Sequence, residues 1–332
     1  MSDKEMTMRE ALNLALDQAL DSDERVFLLG EDIADPGASG PTAGLSTKYG
    51  HQRVLDTPIS EAAIVGAAIG AAIDGMLPVA EIMIMDFIGI AADQLINNAA
   101  KLRFMTAGRT TAPITIRTQV YAGLATGATH SQSLEAWFMH IPGMKVIVPS
   151  TPRDGKGLLA SAIFDPDPCL FVETVRLQGK KGPVPVDAEF RIPLGEADIK
   201  RPGSDVTLIG YGRAVHDALS AAEMLAGQGV SAEVVDLRTL VPLDVDTLVE
   251  SVRRTRRAVI VHDAVQFAGP GAEVAAILQA ELFGELAAPI ERVAARFVPN
   301  PAAAALEALV YPSPQRIVAA AQRTLERAEA HG

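Results

Sequence analysis

The sequence predicts an α/β protein of two domains, each a mainly parallel sheet flanked by helices. Three observations predict it. Short apolar runs alternate with helical patterns along most of the chain, which is the signature of parallel strands covered by helices. The alternation pauses over residues 178–203, where QGKKGPVPVD and IKRPGS bring prolines and little helical periodicity, so this stretch reads as a connector. The chain has 332 residues, of which 48% are apolar, enough for two domains of ordinary size with full cores. The expected division is a first domain over 1–185, a linker over 186–203 and a second domain over 204–332.

In chain order, Thr7 and Glu10 have the spacing of a capping box, and Ala11, Leu12, Ala15, Leu16 and Ala19 share one face, so 7–20 is a helix. Residues 26–29 form a buried strand that ends at Gly30-Glu31-Asp32. Residues 35–50 form a loop rich in Pro, Gly, Ser and Thr, and a loop of this length in a compact domain is usually functional. The stretch 54–103 organises the rest. Its polar turn ends in Ser60-Glu61 and opens a helix of Ala, Gly, Ile and Val with no further charge until Asp74. Ser60 is the expected cap. A strand over 79–84 follows, then a helix carrying Asp93, Gln94, Asn97 and Asn98. Residues 113–117 are a strand, and 119–129 a loop dense in Gly and Ala that delivers His130-Ser131-Gln132. A helix over 134–140, a strand over 145–148, a helix over 151–164 opened by Pro152 and a strand over 169–173 complete this part. Past the connector, strands are expected at 206–210, 232–236, 258–262 and 290–293. Helices are expected at 215–226, 245–253, from Pro270 or Gly271 to 282, and 314–328.

Composition removes several function classes. The formal charge is −12, from 29 Lys and Arg against 41 Asp and Glu, which argues against nucleic acid as a partner. No apolar run reaches the roughly 18–20 residues of a membrane span, and the charged N-terminus has no signal-peptide core. The single cysteine, Cys169, allows no internal disulfide and fits a cytoplasmic setting; between Pro168 and Leu170 it reads as an inert strand residue. Arg253, Arg254, Arg256 and Arg257 read as a solvated helix end. The six histidines show no zinc spacing, and no G-x-S-x-G elbow is present. Gly210 with Gly212, and Gly269 with Gly271, begin phosphate-loop patterns. Val215 and Val274 stand where the third glycine would be, so turns and close packing account for these glycines.

What remains is Glu61 at a helix start, Met83 and Phe87 beside a strand end, and His130 on a small-residue loop. In an open parallel sheet, ligands bind beyond the carboxyl ends of the strands, which makes a shared site for Phe87 and the His130 loop a reasonable expectation. The plain alternatives are a helix-start charge for Glu61, core packing for Met83 and Phe87, and a surface or capping role for His130.

DTPISE, EIMIMDF, DQLINNAAKLRFM, HSQS, IPGMKVIVPSTPRDGKGLLASAI and VVDLRTLVPLD, in this order from about Met8 to Ala328, resemble the β subunits of thiamine-diphosphate-dependent pyruvate, branched-chain 2-oxoacid and acetoin dehydrogenases. The resemblance implies a pyrimidine-binding fold followed by a transketolase C-terminal-like fold. It implies that Glu61 bonds the pyrimidine nitrogen across the ring from the amino group, favouring the imino tautomer that takes the thiazolium proton. It implies that Met83 and Phe87 pack against the pyrimidine, and that His130 assists proton transfer and hand-off to a lipoyl group. Ile114, Ala162, Ile163, Asp165 and Asp167 fall on a potassium loop of some relatives, with Asp167 replacing a common asparagine. The G-D-G…N motif that binds magnesium and diphosphate sits on a separate α subunit in this family and is absent from this sequence. The implied assembly is therefore two α and two β chains, with β–β contact through Gly66, Ala67, Gly70 and Ala71. The implied acyl acceptor is the lipoyl domain of an acyltransferase core.

For substrate, Phe87 stands where branched-chain enzymes usually carry tyrosine, and IRTQVYAGLATGATHSQ lacks the R-x-P-x-G of pyruvate enzymes. The loop is similar to the R-T-x-V-x-A-G-L of acetoin dehydrogenases. Acetoin is the expected substrate, with pyruvate or another short 2-oxoacid as the alternative. Two other readings stand beside it: a stand-alone transketolase-type enzyme, and a non-catalytic α/β scaffold subunit.

Overall fold

The computed structural model describes residues 3–34 and 40–329; part of the expected 35–50 loop, residues 35–39, lies outside the described residues. The chain forms two compact units. The first is Met1–Tyr121 with Trp137–Leu194, and the second is Ala122–Ala136 with Gly195–Gly332.

In the first unit, strands Lys145–Ile147, Cys169–Thr174, Thr115–Val120, Leu77–Ile82, Val26–Gly30 and Val54–Asp56 lie side by side in that order. Every neighbouring pair is parallel. Helices Met8–Ser22 and Pro152–Ile163 pack together on the sheet through Met8, Leu12, Leu16, Leu158 and Leu159 against Leu28, Val79 and Phe171. The first of these helices carries the expected capping box. The Thr7 hydroxyl accepts from Glu10 N at 3.2 Å, and the Glu10 carboxylate accepts from Thr7 N at 2.7 Å. Pro152 stands in the first turn of the second helix, where its missing N–H costs nothing, behind Thr151 as a true N-cap.

The stretch expected as a connector carries two strands. Lys181–Val184 pairs antiparallel with Lys4–Thr7, a strand with no clear pattern in the sequence. Asp198–Arg201 is an antiparallel edge strand of the second unit, in register with Ala232–Asp236 apart from a bulge. Prolines are tolerated here because both strands are short and at edges.

The second unit is a five-stranded sheet in the order Glu291–Ala295, Ala258–Val265, Val206–Gly210, Ala232–Asp236, Asp198–Arg201. All neighbours but the last pair are parallel. Helices Arg213–Ala226 and Pro314–Glu329 bury Val215, Ala218, Ala222, Ile317 and Ala321 against Leu208, Val234 and Val259. Helices Val245–Thr255 and Pro270–Glu281 pack on one another and on the sheet strands. The basic cluster stands at the solvated end of helix Val245–Thr255, as expected, and its members also make surface contacts. Arg253 pairs with Glu285 at 3.1 Å and Arg254 with Glu233 at 2.7 Å, while the Arg256 and Arg257 side chains donate to the carbonyls of Glu285 and Thr324.

Gly269 and Gly271, of the second incomplete phosphate motif, are packing positions, and Gly212 of the first stands in a turn at a φ of 54°. A Cβ on Gly269 would stand 2.1 Å from the Val265 carbonyl oxygen, and one on Gly271 would stand 2.7 Å from His262 Nε2. Cys169 is fully buried, and burial together with Asp165 pushes its thiol well above the ordinary range, so it is inert as expected. Among the described residues, no helix is long and apolar enough to cross a membrane.

Candidate active site

Parallel pairing aligns the carboxyl ends of four strands at one edge of the first unit's sheet. Gly30 is in register with Asp56 and with Glu81, and Glu81 with Arg117. The residues that follow these strands therefore leave the sheet at the same edge: Glu31 after the first, 57–60 and then Glu61 after the second, Met83 and the turn Met85–Gly89 with Phe87 after the third. Met83 and Phe87 are only half-buried, so neither is plain core.

Glu61 is the first residue of helix Glu61–Ile73. The helix forms because Ile64, Val65, Ala68, Ile69 and Ala72 bury one face, while Ala63, Ala67 and Gly70 line the exposed one. Ser60 holds the N-cap position, but its side chain makes no capping bond, contrary to expectation; its φ of −167° and ψ of 80° depart from the extended geometry of a capping residue. Unpaired N–H groups of the first turn favour a carboxylate at this place. Glu61 is 8% exposed, and its carboxylate has no hydrogen-bond or ion-pair partner among the described residues. Its carboxylate oxygens are not among the fully buried atoms that lack a partner, so they meet solvent at the sheet edge, where a donor from outside the chain can reach them. Burial, Asp32 and Glu61 together push the neighbouring Glu31 carboxyl up. Glu31 was visible in the sequence only as part of a strand-ending Gly-Glu-Asp turn.

Beneath this edge lies a buried ion triad that sequence reasoning did not find. Arg117, 1% exposed, donates to Glu81 at 2.7 Å and to Glu173 at 2.7 Å, and Gln178 donates to the second oxygen of Glu173. Alternate residues of neighbouring strands share a face, so three charged residues within strand patterns were the available signal.

The helix expected to carry Asp93, Gln94, Asn97 and Asn98 is wound as a π-helix over Gln94–Ala99 before it becomes an α-helix over Ala100–Met105. Asn97 donates to Asp93 at 2.7 Å, and Asn98 to Gln94 at 3.3 Å.

The potassium-loop residues lie at the opposite, amino edge of the same sheet. Ile114 precedes strand Thr115–Val120, Ala162 and Ile163 end helix Pro152–Ile163, and Asp165 and Asp167 precede strand Cys169–Thr174. Their carboxylates already hold protein cations: Lys145 on Asp165 at 2.6 Å, and Arg103 on Asp167 at 2.6 Å. Among the described residues, no group of three or more His, Cys, Asp or Glu could hold a metal ion.

His130 belongs to the second unit, on segment Ala122–Ala136. It is half-buried, its Nδ1 is 2.9 Å from the Thr129 hydroxyl, and its carbonyl accepts from Thr126 Oγ1 at 2.8 Å. Five residues on, Glu135 is 2% exposed. Burial, with Asp263 adding, pushes its carboxyl up to about 7. The buried Tyr211 hydroxyl faces Glu135 closely enough to affect its proton, yet completes no well-formed hydrogen bond among the described residues. Tyr211 stacks on His262 with ring centres 6.1 Å apart. Burial pushes the His262 imidazole down to about 4, so it is neutral, with Nδ1 on the Ala264 carbonyl and Nε2 accepting from Gly271 N.

Comparisons with known proteins agree with this architecture. Residues 4–180 match the transketolase pyrimidine-binding domain family, and 195–317 the transketolase C-terminal domain family. The β subunit of acetoin:2,6-dichlorophenolindophenol oxidoreductase from Cupriavidus necator is 47% identical over 97% of this chain and 98% of its own length. The mitochondrial pyruvate dehydrogenase E1 component subunit beta-2 of Oryza sativa subsp. japonica is 46% identical over 98% of this chain and 88% of its own length. The solved structure of a split-gene transketolase, an inactive beta4 tetramer, superposes with a TM-score of 0.79 at 24% identity, covering 97% of this chain and 98% of that one, and supports the fold alone. The chain belongs to the transketolase-like family of β subunits of the thiamine-diphosphate-dependent acetoin and pyruvate dehydrogenases.

Proposed function

We propose that this chain is the β subunit of the decarboxylating or cleaving component of a dehydrogenase complex, taking an acyl unit from acetoin to lipoyl groups. Pyruvate or another short 2-oxoacid is the alternative substrate. One observation carries the reading: Glu61, 8% exposed, opens a helix at the carboxyl edge of the sheet, and its carboxylate has no hydrogen-bond or ion-pair partner among the described residues. Its carboxylate oxygen suits an N–H donor of a heteroaromatic ring, and the half-buried Met83 and Phe87 at the same edge supply apolar surface for that ring. Thiamine diphosphate, when bound, supplies the electron sink that no protein side chain provides. Glu61 then holds a proton at the ring nitrogen, and the helix it opens excludes water from that bond. His130, on the second unit, moves a proton during transfer to the lipoyl acceptor.

The reading includes an α partner that binds magnesium and the diphosphate, in a two-α two-β assembly. The exposed small-residue face of helix Glu61–Ile73, with Ala67 and Gly70, suits close helix approach between β chains. It also includes an acyltransferase core bearing lipoyl domains and a cytoplasmic setting. A potassium ion would rest on the carbonyls of Ile114, Ala162 and Ile163, because Asp165 and Asp167 are already paired. The test is turnover by the chain co-expressed with its α partner. Acetoin cleavage or 2-oxoacid decarboxylation should depend on added thiamine diphosphate, and Glu61→Gln should lower it at least about 100-fold, the scale of positioned acid–base catalysis. A near-normal rate in that variant removes the assignment.

A further inference from the structure

The segment that carries His130 holds an unfavourable backbone. Gly123, Ala125 and Gly127 all have positive φ, at 81°, 57° and 86°. For Ala125 this region costs about 1–2 kcal/mol, so something must hold it there. Glu307 does so from within the same unit. It is the last residue of helix Ala304–Glu307 and is 2% exposed. One carboxylate oxygen accepts from Gly123 N at 3.1 Å and the other from Ala125 N at 2.6 Å. Charge-assisted bonds of this kind are roughly twice as strong as neutral ones. A second anchor grips the far end of the segment: Asn300 Nδ2 donates to the Ser131 carbonyl at 2.9 Å, and the single Tyr311 hydroxyl proton is shared between that carbonyl and Asn300 Oδ1, each 3.0 Å away. His130 stands between the two anchors, with Thr126 bridging from its hydroxyl to the His130 carbonyl and lying 2.5 Å from the Ser131 hydroxyl.

We propose that Glu307 is a positioning residue for His130, fixing through two backbone amides the segment that presents the imidazole. The inference rests on the role proposed for His130 in acyl transfer. Gln at 307 is nearly isosteric but offers one acceptor oxygen, so it leaves one of the two amides facing an NH2 group. Asp keeps both acceptors on a shorter stem.

The experiment uses the assembled complex with its α partner, with wild type, Glu307→Gln, Glu307→Asp, His130→Ala and the double variant Glu307→Gln/His130→Ala. Amide hydrogen exchange over 122–131 should accelerate about tenfold or more in Glu307→Gln and less in Glu307→Asp, as expected for loss of one charge-assisted bond. Lipoyl acylation should lose about tenfold or more in kcat, with KM for the lipoyl domain unchanged, since small misplacements of a catalytic group cost on this scale. The double variant should be no slower than His130→Ala, because Glu307 acts through His130. Unchanged exchange in Glu307→Gln, or a double-variant loss equal to the product of the single losses, overturns the proposal. If His130→Ala itself acylates at the normal rate, the role given to His130 is withdrawn, and the exchange data alone decide whether Glu307 holds the segment.

Discussion

Glu61 and Glu31 share the carboxyl edge of one sheet, and the charge of Glu61 helps to keep the Glu31 carboxyl above its ordinary range, after burial and Asp32. Two acidic side chains on adjacent strand ends are an arrangement that stability alone would not select. A carboxyl with a raised folded-state pKa binds its proton more tightly folded than unfolded, so its contribution falls as pH rises. Glu31→Gln is therefore expected to raise the denaturation midpoint at pH 8, with the gain shrinking toward pH 4. Midpoints measured at the two pH values check this. A lower midpoint at pH 8 would mean that the Glu31 carboxylate is held by a favourable partner.

Much of this edge was legible in the sequence because it depends on local patterns. The apolar helix after Glu61, the strand before Met83 and the alternation that makes the sheet parallel are all carried by spacing and composition. Strands 206–210 and 232–236 were read to the residue, since VTLIG and AEVVD are short segments rich in β-branched apolar residues and bounded by turns. What escaped depends on neighbours distant in the chain. Lys4–Thr7 is a strand only because Lys181–Val184 lies beside it. Ser60 has the right identity for a cap and the wrong backbone angles. Glu307 and His130 are far apart in sequence, and nothing local to Ala304–Glu307 shows that its carboxylate is spent on two amides of another segment.

The Arg117 triad gives a prediction about the floor of the candidate site. Removing the guanidinium leaves Glu81 and Glu173 buried with their main partner gone, and breaking a buried ion pair in this way typically costs about 3–5 kcal/mol. Arg117→Ala should lose that much stability, read from urea midpoints. Arg117→Lys should recover only part of it, because a single ammonium cannot present the forked donors that reach both carboxylates. Equal stability of wild type and Arg117→Ala would show that the triad contributes nothing net.

The glycines of the incomplete phosphate motif lead to a different test. A methyl on Gly271 would meet His262 at both Nε2 and Cδ2, at 2.7 and 2.9 Å, and also Ile260. The ring is fully buried and cannot swing away, so Gly271→Ala should destabilise the second unit by about 1–3 kcal/mol, the usual cost of overpacking. It should leave thiamine diphosphate affinity of the assembled enzyme unchanged. A large loss of cofactor affinity without a loss of stability would reinstate the phosphate reading that the packing argues against.

Glu135 and His262 oppose one another in their dependence on pH. Glu135 titrates at about 7 in the folded chain against an ordinary 4.5, so its contribution is complete below 4.5 and is lost as pH rises through 7. His262 titrates at about 4 against an ordinary 6.5, so its contribution is complete above 6.5 and is lost as pH falls through 4. Each shift corresponds to about 3 kcal/mol over its full range. Between about pH 4.5 and 6.5 the two slopes cancel, and wild type should show little net dependence from this pair. Glu135→Gln imitates the protonated acid and removes one slope. Its stability should rise from pH 4 to 6.5 and then level off, exceeding wild type at pH 8 by up to about 3 kcal/mol and matching it near pH 4. Denaturant midpoints across this range decide the matter: parallel curves for the two proteins would mean that Glu135 is ionised in the folded chain, and that Tyr211 or another group stabilises its charge.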